Sequence, residues 1–183
     1  MALRETIVAS CVERMKYPFV WLSRIHRCLG FGIQSPTDYQ FVRGVVNEHT
    51  PYYIYSEVGH GDDWLRRRLG RLYFRLSNWR QPQTIFSRNY QEYLQAGCRK
   101  ARMAEQPDQA AQLAIIGTEA DLRALLPLCT DGTVLVIDRL FCHRPLWQLL
   151  LNEPRPMLTY DLYYCGIAIF DSKRTTQHYL VNF

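Results

Sequence analysis

The sequence predicts an α/β protein: a helical amino-terminal stretch, then a buried, largely parallel sheet with helices on both faces, ending in an antiparallel hairpin. Three observations carry this. The short apolar runs "QLAIIG" (112–117) and "TVLVID" (133–138) read as strands buried on both faces. Each is followed by a helical pattern, the alternation that builds parallel sheets. At the carboxyl end, "LTYDLYYCGIAIF" (158–170) and "QHYLVNF" (177–183) read as two strands joined by "DSKRTT", a hairpin-type connection.

Taken in order, residues 2–29 carry apolar positions at helical intervals, and Pro18 is expected to split them into two helices. "GFGIQSPTDYQF" (30–41) then stops one helix and starts another. Ser35 is a good N-cap, Pro36 suits the first helical position, and Asp38 places a carboxylate near the positive end of the helix dipole. This helix is expected to run to about His49, before Pro51, with Tyr39, Val42, Val45 and Val46 on one side. A third begins at Asp62 or Asp63, with Leu65, Leu69, Leu72 and Leu76 as its apolar stripe. "TIF" (84–86) is a short strand, and "RNYQEYLQAGCRKARMA" after it is helix-compatible. "EQPDQA" (105–110) reads as a loop. Thr118 opens the helix "TEADLRALL", with Asp121 three residues on in a capping-box arrangement. "TDG" (130–132) is a turn, "RPLWQLLL" a short helix, and Trp147 with tyrosines 160, 163 and 164 is expected to pack against the sheet.

Composition narrows the function classes. With 183 residues, 48% of them hydrophobic and 21% charged, the chain suits one compact domain with a sizeable core. It divides into a helical segment and approach helix (1–80) and an α/β part (81–183). No apolar run is long enough to span a bilayer, and the amino terminus lacks a signal-peptide pattern, so no membrane association and a cytoplasmic location are expected. The six cysteines show no CxxC spacing and read as reduced thiols, and Cys142-His143 by itself does not make a metal site. The net charge of +5 is unevenly spread. Seven arginines and no acidic residue lie between Trp64 and Gln91, with Arg67, Arg68, Arg71 and Arg75 off the leucine stripe of their helix.

Several stretches resemble a family. "FGIQSPTDYQF" is similar to the "HG(I/V)HSPF" segment of a group of bacterial class I S-adenosylmethionine-dependent methyltransferase-like proteins, with Phe31 and Gln34 where histidines are usual. "RRRLGRLYFRLSNWRQPQTI" resembles their approach helix and first strand, and "LTYDLYYCGIAIF" with "QHYLVNF" their closing antiparallel pair. The resemblance implies a Rossmann-like methyltransferase-type sheet, with the 30–41 segment as an annex beside the cofactor site.

The departures bear on function. After "TIF" the family has a glycine-rich turn that lets backbone approach the cofactor. Here the chain reads "SRNYQEYLQAGC", with no glycine before Gly97 and with bulk at Arg88 and Tyr90. Only about thirty residues separate "TIF" from "QLAIIG", so one or two strands are expected to be missing. The acidic residues in between, Glu92 and Glu105, do not fit a ribose-binding role.

The leading expectation is a pseudoenzyme that binds something or serves in an assembly. An exposed sheet edge would favour a homodimer or protein partner. A second reading is an active small methyltransferase holding S-adenosylmethionine through Ser87, Asn89, Gly117, Glu119 and Asp138. A simpler view makes Glu119 a helix-dipole residue and Asp138 a cap. A third reading uses Arg67, Arg68, Arg71 and Arg75 to bind phosphate or nucleic acid, with Tyr73, Phe74 and Trp79 interleaved for stacking. Against it, charge stripes are usually solvated helix faces.

Overall fold

A seven-stranded sheet organises the chain, in the order β2-β1-β3-β4-β6-β5-β7. The structure, a computed structural model, describes residues 2–107 and 109–183, with side chains from residue 12 onward except 13, 28, 29 and 108. Cys11, Cys28 and Asp108 of the predicted 105–110 loop therefore lie outside the described side chains. The strands are β1 (Thr84–Ser87), β2 (Arg102–Ala104), β3 (Leu113–Ile116), β4 (Val134–Asp138), β5 (Met157–Asp161), β6 (Cys165–Phe170) and β7 (Gln177–Leu180). Strands β1 to β4 are parallel; β6 is antiparallel to both β4 and β5, and β7 is parallel to β5.

Alternation along the strands feeds two cores. Leu113, Ile115, Val134 and Val136 face one, while Ala114, Ile116, Leu135 and Ile137 face the other. The first core is covered by α3 (Trp64–Arg80), whose Leu65, Leu69, Leu72 and Leu76 are all buried. Removing each such leucine from water contributes about 1.5–3 kcal/mol. The second is covered by α5 (Glu119–Leu125) and α6 (Arg144–Leu151), through residues such as Leu122, Trp147 and Leu150. Residues of α3 share this core with residues of β1, β3 and β4, so the approach helix packs directly on the sheet.

The amino-terminal segments depart from expectation. Residues Ala2–Ser23 form one helix, α1, with Pro18 inside it, rather than two. A 3₁₀ turn, Ile25–Gly30, follows. The next helix, α2 (Pro36–Phe41), is capped by Ser35, whose Oγ accepts from the Asp38 N–H at 3.4 Å. It passes into a π turn, Val42–Val46, and stops there rather than near His49. Asp38 has a larger role than a dipole residue. Its buried carboxylate accepts from Arg174 at 2.6 and 2.7 Å and from the Tyr179 hydroxyl at 2.9 Å. Arg24 likewise reaches the Asp161 carboxylate at 2.9 Å. These pairs hold the 24–41 region at the β5–β7 edge, four to five strands away from β1 rather than beside its carboxyl end.

Two strand assignments also change. The run 158–170 is the antiparallel hairpin itself: Tyr163 takes φ +69° and its N–H donates to the Asp161 carboxylate, folding Leu162–Tyr164 into the turn between β5 and β6. "DSKRTT" instead carries the chain past β5 to β7. The helix after β1, α4, is confined to Gln91–Gly97, which frees Arg102–Ala104 to form β2. The edges are short, β2 having three residues and an exposed Arg102. Edges of this kind template strand pairing poorly.

Asp38, Asp121 and Asp161 give the fold a shared pH dependence. Burial pushes each carboxyl up, but Arg174, Arg88 and the Arg24–Arg144 pair, with their other donors, more than reverse this and hold each below the usual value. A carboxylate lowered in the folded state stabilises it fully above the unfolded value of about 4, and that contribution is lost as pH falls through the folded value. Thermal melts followed by circular dichroism are expected to show Tm falling steeply below about pH 4. Asp38→Asn should make that fall shallower while lowering Tm at pH 7.

Candidate functional site

The chain leaves β1 for β2 on one side and returns to β3 on the other, which makes the carboxyl ends of β1 and β3 a topological switch point. Open α/β sheets bind ligands in the crevice at such a point. A cavity of about 320 Å³ lies there, lined by residues 87–90 at the end of β1, 115–118 at the end of β3, and Asp138 and Arg139 at the end of β4. Four of the residues proposed for a cofactor, Ser87, Asn89, Gly117 and Asp138, meet around it. Glu119 does not. It is exposed in the first turn of α5 and accepts from Arg123 one turn on, at 2.6 and 2.8 Å, so the dipole reading describes it.

Side chains occupy much of this crevice. Tyr90, at φ +64°, takes the left-handed conformation that a glycine-rich turn would supply, yet its ring is only 3% exposed. The ring packs edge-on against Tyr73, 4.8 Å between centroids, and lies under the Arg66 guanidinium at 4.9 Å. The Ser87 hydroxyl turns back onto the Asn89 carbonyl. Arg88 closes the outer side by pairing with Asp121 at 2.8 Å, and Asp121 also accepts from the Thr118 hydroxyl at 2.8 Å.

Asp138 is not a helix cap. Its carboxylate accepts from the Tyr73 hydroxyl at 2.6 Å and from Tyr90 at 3.4 Å. Burial raises its pKa, and the hydrogen bonds and Arg139 only partly offset that. A carboxyl raised in the folded state stabilises it fully below the unfolded value, and the contribution is lost as pH rises through the folded value. Asp138→Asn keeps an acceptor for Tyr73 and removes that loss. Its Tm is therefore expected to gain on the wild type as melts are moved upward from about pH 4, and a constant offset would exclude a raised Asp138.

The larger cavity lies elsewhere. About 850 Å³ opens between α3, the 46–56 segment, Arg14 of α1 and Phe183. Arg67, Arg68, Arg71 and Arg75 all line it, so the arginine row faces a cavity instead of forming only a solvated helix face. The four differ in availability. Arg75 is 8% exposed and spends its three nitrogens on the Val45 and Val46 carbonyls and the Tyr55 hydroxyl, at 2.6, 3.0 and 3.3 Å. Arg68 is packed over the rings of Tyr17, Trp64 and Phe183, and burial lowers its pKa. Arg71 lies over the Tyr55 ring at 4.8 Å, and no hydrogen bond ties it to another described residue. Arg67 is exposed and donates to the Asp62 carbonyl at 3.1 Å.

Sequence reasoning missed the aromatic wall of this cavity. Tyr73 and Phe74, thought to interleave with the arginines, are buried in the core, and Trp79 packs on Phe41. The rings beside the arginines are Tyr52, Tyr55 and Trp64. The signal was "YYIY" after Pro51, four residues with three tyrosines in a connecting segment.

Comparison with known proteins adds no family: no protein-family model, curated protein or solved structure matches the chain.

Proposed function

We propose that the protein is a catalytically silent binding module, built on a shortened sheet of the class I S-adenosylmethionine-dependent methyltransferase type. The observation that carries this reading is Tyr90. It keeps the left-handed backbone of a cofactor-binding turn while its buried ring fills the space that glycine would leave open. The topology supports the ancestry. Four parallel strands with a switch point are followed by a hairpin whose second strand runs antiparallel beside the fourth. Through that hairpin the sheet has six strands, which fits the loss of one strand between β1 and β3, while β7 extends the other edge.

The test is calorimetric titration with S-adenosylmethionine and S-adenosylhomocysteine. Neither is expected to give measurable heat at millimolar ligand. Micromolar binding that is lost on Asn89→Ala or Asp138→Asn would establish the alternative, an active methyltransferase with an unusual cofactor site at the end of the sheet.

A further inference from the structure

We propose that the 850 Å³ cavity between α3 and the 46–56 segment binds a mononucleotide-like ligand, its phosphate held by Arg67 and Arg71 and its planar ring placed against Tyr52 and Trp64. This deepens the binding-module reading by giving it a ligand class, at a site apart from the end of the sheet.

The charges come first. Arg67, Arg71 and Arg75 stand at i, i+4 and i+8, so their side chains are neighbours on one face of α3. Like charges at this spacing repel, and arginines early in a helix oppose its dipole. The first turn of α3 has no acidic residue of its own, and Asp63, which caps it, accepts from the Arg66 N–H at 2.9 Å. Asp62, beside that cap, pairs with Arg66 at 2.8 Å, and Glu48 across the cavity accepts from the Tyr52 hydroxyl at 2.8 and 3.0 Å. An anion between Arg67 and Arg71 relieves this repulsion, and guanidinium forks match phosphate oxygens well.

The rings decide what kind of anion. Arg71 is held over Tyr55, which in turn packs edge-on against Tyr52 and Phe74 at 5.4 and 5.5 Å. This orders an edge-to-face aromatic wall next to the cations, with Tyr52 and Trp64 among the rings that line the cavity. A cavity of this volume lies within the range of small-molecule sites, roughly 300–1,000 Å³. A phosphate joined to a planar ring uses both features, whereas free phosphate uses only the first. A nucleic-acid strand is disfavoured because the helix aromatics that would stack successive bases, Tyr73 and Phe74, are buried.

The experiment is a titration of the full chain with inorganic phosphate, adenosine, AMP, ATP and a short single-stranded oligonucleotide, at low and at physiological salt. AMP and ATP are expected to bind at least about tenfold more tightly than either adenosine or phosphate, with affinity falling as salt rises. Arg71→Gln and Arg67→Gln should each weaken AMP by about tenfold, with Tm unchanged within about 2 °C. Binding of AMP no tighter than adenosine, or unchanged by both variants, overturns the proposal. So does an oligonucleotide affinity that exceeds AMP and grows with length, which would mark a nucleic-acid surface. Titration with S-adenosylmethionine, which has no phosphate, reads the end of the sheet separately, so either reading can fail while the other stands.

Discussion

Arg75→Met is expected to destabilise the protein by about 3–4 kcal/mol, seen as a Tm lower by roughly 6–16 °C. The π turn Val42–Val46 ends with carbonyls that no following helical N–H can reach. Arg75 supplies the missing donors from another helix, Nε to Val45 and Nη2 to Val46. Methionine keeps the apolar stem and most of the volume, so the loss isolates the hydrogen bonds. It leaves two buried acceptors without this partner, each at about 1–3 kcal/mol. Arg75→Lys should recover only part of the loss, since one ammonium cannot reproduce a planar fork aimed at two oxygens. Because Val46 and the segment after it form a wall of the arginine cavity, Arg75→Met should also weaken any ligand held there. Arg71→Gln is expected to affect binding alone. Equal stability losses for Arg71→Gln and Arg75→Met would mean that the two arginines are not divided between ligand and framework as described.

That division was not visible in the sequence, and the reason is physical. Helical periodicity separates Leu65, Leu69, Leu72 and Leu76 from the arginines, and those leucines are buried as expected. The same periodicity says nothing about what faces the arginines. The 46–56 segment, which turns their face into a cavity, has no repeating pattern, and its position depends on Arg75 contacts about thirty residues away in sequence. The strands β3 and β4 were legible because four or five consecutive apolar residues admit few other placements. The hairpin within 158–170 was not, because its turn is made by Tyr163 in a left-handed conformation, with no glycine or asparagine to announce it. At the end of the sheet, the positions of Ser87, Asn89, Gly117 and Asp138 followed from the strand assignments alone. The partners of Asp138 did not, since Tyr73 reads as one more core residue of α3 until its hydroxyl is seen to donate to the carboxylate.

Gly97→Ala is expected to lower stability by about 3 kcal/mol, or roughly 6–12 °C in Tm. Gly97 is the first glycine after β1, and its role is packing rather than cofactor approach. It ends α4 where that helix meets α3. A Cβ there would run into the Phe74 carbonyl oxygen, lie 2.8 Å from the Ser77 Cβ, and lie 3.0 Å from the Asn78 backbone nitrogen. Two of these neighbours are backbone atoms of a buried helix and cannot rotate aside. The helices must separate, which also pulls on the bond from the Ser77 hydroxyl to the Leu94 carbonyl at 2.7 Å. Gly70 provides the contrast. The three atoms nearest a Cβ there all belong to the ring of Tyr93, the nearest at 2.5 Å, and a side chain can be shortened. Tyr93→Leu should therefore relieve Gly70→Ala in a double-mutant cycle, giving a coupling of about 1 kcal/mol or more. Ser77→Gly should leave most of the Gly97→Ala loss in place, because the Phe74 carbonyl remains. Full rescue by Ser77→Gly would mean that side chains, not the backbone, set the distance between α3 and α4. Since α4 follows directly from Tyr90, that distance also fixes how deeply the Tyr90 ring sits in the crevice. A helix pair pushed apart by Gly97→Ala should accordingly loosen the contact between Tyr90 and Asp138, readable as a lowered Asp138 pKa in carboxyl NMR titration as water enters.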